Sequence, residues 1–120
     1  MPRFVVHEHI ARRAGLHYDL RIEVNGVLKD WAFRKPLPED VNVKRFGVAQ
    51  PDHDLSWLDF EGEIEDGYGA GIIKIWDRGS CDLIEKTDKS MTLEFYGNKL
   101  RGSYMLLKFK DGWLLFKVRT

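Results

Sequence analysis

Cysteine is almost missing from this sequence, with Cys81 the single example in 120 residues. One thiol excludes an internal disulfide and any zinc site built on two or more thiolates. No activating motif surrounds Cys81, so it is expected to be a buried or half-buried strand residue and not a nucleophile. An excess of either charge is missing too, because nineteen Lys and Arg balance nineteen Asp and Glu. This balance argues against a protein that coats nucleic acid through counterion release over many phosphates, and any nucleic-acid partner is expected at one local site. There is no apolar run of about 18 residues and no basic-then-apolar leader, so neither a membrane span nor a secretory signal is read, and the cytoplasm is the expected location. No Gly-x-Ser-x-Gly nucleophile pattern occurs. Glycines at 62, 67, 69 and 71 punctuate one stretch, but no strand-to-helix transition follows, which excludes a nucleotide-binding loop; tight turns around Tyr68 are expected instead.

What is present suits a folded domain. The hydrophobic content is 43%, with seven Phe, four Trp and four Tyr to fill a core. One core and one domain over residues 1–120 are expected at this length, as a monomer. Short β-prone runs separated by turn residues recur, and no stretch holds a period of 3.6 beyond two turns. The strands read from the sequence are 4–7, 17–24, 27–34, 45–49, 60–64, 72–77, 81–85, 92–96, 100–108 and 113–118, with a short helical turn in 52–58. So many strands in so short a chain predict a mostly β fold, a small closed or nearly closed barrel of about eight strands with one or two helical turns, because open edges invite aggregation.

Asn25-Gly26, between two alternating runs, is the preferred signal for a two-residue hairpin turn. The register that follows sets Val24 opposite Val27, Leu20 opposite Trp31 and Tyr18 opposite Phe33, an apolar face turned to the core. The other face carries His17, Asp19, Arg21 and Glu23, opposite Arg34, Ala32, Asp30 and Leu28, and small Ala32 leaves space beside Asp19. Asp111-Gly112 is read as a second such turn, in a hairpin that serves as scaffold.

Side chains two apart on a strand lie on one face about 7 Å apart, so His17 and Asp19 can converge on one ion. An imidazole and a carboxylate without thiols suit manganese, and Arg21 adds a planar fork of donors matched to phosphate. An ordinary amphipathic strand with a solvated face explains the same segment. His7 and His9 supply two more imidazoles; His9 is the better ligand candidate, and His7 reads more readily as a surface residue. The interval from His9 to His17, with Arg12, Arg13 and Gly15, reads as a loop that brings His9 back over His17. His53, in Pro-Asp-His-Asp, is suited to touching a phosphate or moving a proton, although alone it reads as a turn residue.

Together these residues resemble the 3′-phosphoesterase family, known as a domain of bacterial DNA ligase D and as stand-alone archaeal and bacterial proteins. The likeness runs through Phe4-Val5-Val6-His7-Glu8-His9, Leu16-His17-Tyr18-Asp19-Leu20-Arg21-Ile22-Glu23, Trp31-Ala32, Lys44-Arg45, Asp52-His53, Phe60-Glu61-Gly62, Tyr68-Gly69-Ala70-Gly71, Trp76-Asp77-Arg78-Gly79 and Trp113-Leu114-Leu115. It implies a small barrel with Mn2+ (or Zn2+ or Co2+) held by His9, His17 and Asp19. It further implies phosphate contacts from Arg21, His53 and Arg45, with Glu23, Lys35, Trp57 and Tyr68 in support. The implied activity removes 3′-terminal ribonucleotides and 3′-phosphates from primer strands, leaving ends for a repair ligase or polymerase. A non-catalytic barrel that binds nucleic-acid ends through exposed Trp and Arg is the alternative. This chain departs from the family pattern at three places. The His9–His17 interval is two residues longer, which keeps His7 as a second ligand candidate. Trp57 stands where a tyrosine is usual, which predicts weaker monoesterase than diesterase activity. Arg34-Lys35-Pro36 replaces Pro-Lys-Gly.

Overall fold

The computed structural model describes residues 1–67 and 69–119. These residues form nine strands: β1 (Arg3–Ala11), β2 (Gly15–Val24), β3 (Val27–Phe33), β4 (Lys44–His53), β5 (Gly62–Ile64), β6 (Gly71–Lys86), β7 (Ser90–Tyr96), β8 (Arg101–Phe109) and β9 (Gly112–Lys117). Hydrogen bonding runs in the order β1-β2-β3-β4-β9-β8-β7-β6-β5, and β1 also pairs with β6. The β1–β6 seam closes eight strands into an antiparallel barrel, the expected fold, with β5 attached to β6 outside the ring. Among the described residues the helical structure is one 3-10 turn, Leu55–Asp59, capped by Asp54, which accepts from Ser56 N–H at 3.0 Å. No helix among them is long and apolar enough to cross a membrane.

The barrel interior holds Phe4, Val6, Tyr18, Leu20, Ile22, Trp31, Phe33, Leu93, Phe95, Tyr104, Leu106 and Leu115. Cys81 is fully buried among them, and burial pushes its thiol up to about 12. The β2–β3 register matches the sequence expectation pair by pair, from Tyr18 opposite Phe33 to Val24 opposite Val27. Asn25 and Gly26 take the positive φ values, 51° and 82°, that such a turn requires.

Three expectations change. The strands expected at 72–77 and 81–85 are one strand, β6. Gly79, which lies between them, sits where an added Cβ would come within 2.4 Å of Tyr96 O, so it permits close backbone approach. A register shift against β1 lies at Val6/His7 and leaves Trp76 as the extra residue of a bulge. The interval after His9 is strand and not loop, since Ile10 pairs with Leu16 and Ala11 with Gly15, and only residues 12–14 turn. In the last hairpin Phe109 pairs with Gly112, so the turn is Lys110-Asp111 and not Asp111-Gly112. Gly112 instead leaves room for the Phe46 ring, which an added Cβ would meet at 2.4 Å.

Candidate active site

β1 and β2 bury alternate residues in the barrel and turn the others outward. Val5 stands opposite Arg21, His7 opposite Asp19, and His9 opposite His17. The outward face is roofed by residues 54–60, where Leu58 packs on Val5 and Leu28, with Leu55, Trp57 and Ile75 around them. Polar side chains at one end of this face are thus buried without entering the barrel. His7 is fully buried, Asp19 and Arg21 are 4% exposed, and Asp30 is 3% exposed.

His9, His17 and Asp19 bring one ligand atom each within 4.8 Å of one another. A carbonyl can only accept, so the contact of His9 Nε2 with Gly69 O at 2.9 Å places the His9 proton on Nε2. By the same argument His17 carries its proton on Nδ1, which donates to Gly15 O at 3.2 Å. The remaining nitrogens, His9 Nδ1 and His17 Nε2, face Asp19 Oδ2 at 3.8 and 3.2 Å. Lone pairs against a carboxylate oxygen are unfavourable without positive charge between them, whether a proton or a cation. The hydrogen bond to Asp19 accordingly raises the His17 pKa against the opposing effect of burial. Burial acts to raise the Asp19 carboxyl too, but the bonds from His17 and His9 and the Arg21 charge hold it below the carboxylate range. Backbone carbonyls that fix the tautomer of two imidazoles, leaving both free nitrogens beside one carboxylate, are the outer support that metal-ligating histidines require. The donor set therefore fits a divalent ion.

Arg21 forms the next wall. Its Nη2 lies 3.7 Å from Asp19 Oδ2 and its Nε 3.6 Å from Asp30 Oδ2, Nη1 donates to His7 Nδ1, and Cζ sits 5.3 Å from the Trp57 ring centre. His7 donates from Nε2 to Phe60 O at 2.9 Å. Burial, with the Arg21 charge beside it, pushes the imidazole down to about 4, so it is neutral and accepts from Arg21. His53 Nδ1 donates to Pro51 O at 2.9 Å and lies 3.4 Å from Asp30 Oδ2, while burial and then Arg21 lower its pKa. Burial and the Asp19 charge raise the Asp30 carboxyl, with Arg21 opposing. A cleft of about 280 Å³ is lined by His9, His17, Asp19, Arg21, Asp30 and His53.

The structure thus brings together the sequence candidates His9, His17, Asp19, Arg21 and His53. His7 is not at the surface: it supports Arg21 from a fully buried position, and His9 is the imidazole beside Asp19. Trp57 stacks on Arg21 and meets His53 edge-on at 5.8 Å. Arg45 is placed elsewhere, because it shares strand parity with Gly47, which faces the Phe33 ring, and its Nε donates to Pro36 O at 2.7 Å. Lys35 is exposed past the end of β3 and does not line the cleft. Glu23 accepts from Arg3 N–H at 3.1 Å and fixes the start of β1. Tyr68 lies outside the described residues. Exposed tryptophan is not found, since Trp31 is buried and Trp57, Trp76 and Trp113 are half-buried. Sequence reasoning missed Asp30, although the hairpin register that placed it opposite Arg21 was the signal; the carbonyls of Phe60 and Gly69 carried none.

Residues 7–108 match the family model described as the DNA ligase D 3′-phosphoesterase domain. The chain is 39% identical over 123 residues to the multifunctional non-homologous end joining DNA repair protein LigD of Mycobacterium tuberculosis, covering 98% of this chain and 16% of that protein. It is 38% identical over 130 residues to the Mycolicibacterium smegmatis protein LigD, covering 98% of this chain and 17% of the other. Against the Pseudomonas aeruginosa protein LigD it is 39% identical over 130 residues, with 98% and 15% covered. The chain spans about a sixth of the length of these relatives.

Proposed function

Since the chain belongs to the DNA ligase D 3′-phosphoesterase domain family, we propose that it is a metal-dependent phosphoesterase that heals 3′ ends of nucleic acid strands. In this reading it removes 3′-terminal ribonucleotides and, more weakly, 3′-phosphates, leaving ends for a ligase or polymerase of non-homologous end joining. The observation that carries the reading is the convergence of His9, His17 and Asp19 within 4.8 Å beside the guanidinium of Arg21. His9 Nδ1, His17 Nε2 and an Asp19 oxygen would hold the ion, and nitrogen and oxygen donors without thiolate favour manganese, with zinc or cobalt as substitutes. Once bound, the ion supplies positive charge to the phosphate oxygens.

Arg21, aimed by His7, Asp30 and Trp57, adds the donors that follow the phosphate toward its transition state. His53 lines the cleft and has its proton fixed on Nδ1 by Pro51 O, which leaves Nε2 as the acceptor nitrogen. A phosphate beside it favours the cationic form, in which Nε2 donates to a phosphate oxygen. The half-buried Trp57 offers no hydroxyl to the phosphate, which supports the weaker monoesterase step.

The test uses primers ending in a ribonucleotide, a 3′-phosphate or a plain deoxynucleotide, with several divalent ions. Shortened and dephosphorylated products are expected with manganese, and Asp19→Ala should abolish them together with the thermal stabilisation manganese gives the wild type. Folded wild type that leaves every end unchanged would overturn the reading. End binding without turnover, equal in wild type and Asp19→Ala, would favour a non-catalytic end-binding module.

A further inference from the structure

We propose that a groove beside the metal-ligand cluster seats the nucleoside carrying the 3′-phosphate, with its base stacked on Phe46. The proposal rests on the function proposed above and adds to it the part of the substrate that is retained. The groove encloses about 450 Å³ on the outer face of β2, β3 and β4, between His17, Ala32, Arg34, Phe46 and Val48. It is continuous with the phosphate cleft, since Ala14, His17 and Gln50 line both.

Three features suit a nucleoside. Ala32 pairs with Asp19 on one side and Val48 on the other, so a methyl-sized floor separates the cluster from the apolar wall. Two strand spacings, about 10 Å, separate Asp19 from Val48, the reach of a nucleoside from its phosphate to its base. Phe46 is 43% exposed and Val48 46%, on outward positions where polar residues are ordinary. The Phe46 ring lies against Gly112, which has no side chain to displace it, and leaves much of its surface exposed. Such a platform accepts any base, because every base has a π-face. At the rim Arg34 donates from Nη1 to Ala14 O at 2.5 Å and leaves its remaining N–H groups for the next phosphate of the strand.

The direction of the strand follows from what closes the other sides. Trp57 covers Arg21, and the carbonyls of Phe60 and Gly69 hold His7 and His9, while Ala14, His17 and Gln50 join the cleft to the groove on the side of β2 and β4. A phosphomonoester has a nucleoside on one side only. A groove that serves both diester and monoester ends therefore holds the nucleoside that remains bonded through its 3′ oxygen, not the one that departs.

Primers ending in 2-aminopurine 3′-phosphate report stacking by fluorescence quenching, with no turnover needed. Wild type is expected to quench the terminal base, Phe46→Ala to bind about tenfold more weakly, and Phe46→Trp to restore binding. A primer whose terminal sugar lacks a base should bind wild type and Phe46→Ala alike. Val48→Asp is the second probe, expected to weaken binding if Phe46→Ala does not fold. Equal affinity of folded Phe46→Ala and wild type for the 2-aminopurine end would overturn the proposal. So would a loss confined to diester substrates, which would put the departing nucleoside in the groove. Quenching without turnover would keep the groove and remove the activity; turnover indifferent to the base would keep the activity and remove the groove.

Discussion

Arg21 is given one pose by unlike contacts: an imidazole that accepts from it, two carboxylates at 3.7 and 3.6 Å, and an indole over its plane. The planar fork matters as much as the charge. Arg21→Lys keeps the charge, loses the fork and the stacking, and should lower turnover about 10- to 100-fold while manganese binding stays close to wild type; single-turnover assays beside metal titration would separate the two. His7 makes a second prediction. Its pKa is lowered from 6.5 to about 4 on folding, so the native state binds fewer protons than the unfolded chain between those values. The stability it contributes is full above pH 6.5 and falls as pH drops toward 4, by on the order of 3 kcal/mol. Urea unfolding across this range should show a flatter pH slope in His7→Gln, whose amide cannot charge. The shared placement of His17, Asp19 and Arg21 was legible because strand alternation puts them on one face. That of His7 was not, since its burial comes from the roof at 54–60, far along the chain.

At the scale of elements, hairpins were readable where the turn residues do only one thing. Asn25-Gly26 turns the chain, and the register of β2 and β3 follows. Asp111-Gly112 carries the same signal, but Gly112 is taken up by the Phe46 ring and the turn moves back one residue, with Lys110 at φ 53°. Glycine thus reads as a turn even where it serves close approach, as Gly79 does in mid-strand. Gly71 is the strictest case. With φ 148° and an added Cβ 2.1 Å from Ile10 O, it lets the seam between β1 and β6 form at the ligand end. Gly71→Ala should destabilise the fold by on the order of 2 to 4 kcal/mol, seen in denaturant midpoints, and should also weaken manganese binding through His9.

At the scale of the molecule, the barrel is completed by pairing residues 3–11 with 71–80. Such distant pairing predicts folding in milliseconds to seconds, slower than for a helical domain of this size. Cys81 offers a native probe of that closure. Fully buried, with its thiol pushed up to about 12, it should react with a thiol reagent at the rate of global opening, and saturating manganese should slow the reaction.

The β1–β2 hairpin also bears on how such a site diverges. His9 and His17 face each other across a rung, and beyond them the ladder continues through Ile10–Leu16 and Ala11–Gly15 to a three-residue tip. Two added residues lengthen both arms by one rung and leave every rung below in place. Length can therefore change at this tip over generations without disturbing the pair of imidazoles at its base, whereas Ala14, which lines both cavities and accepts from Arg34, ties a changed tip to the groove beside them.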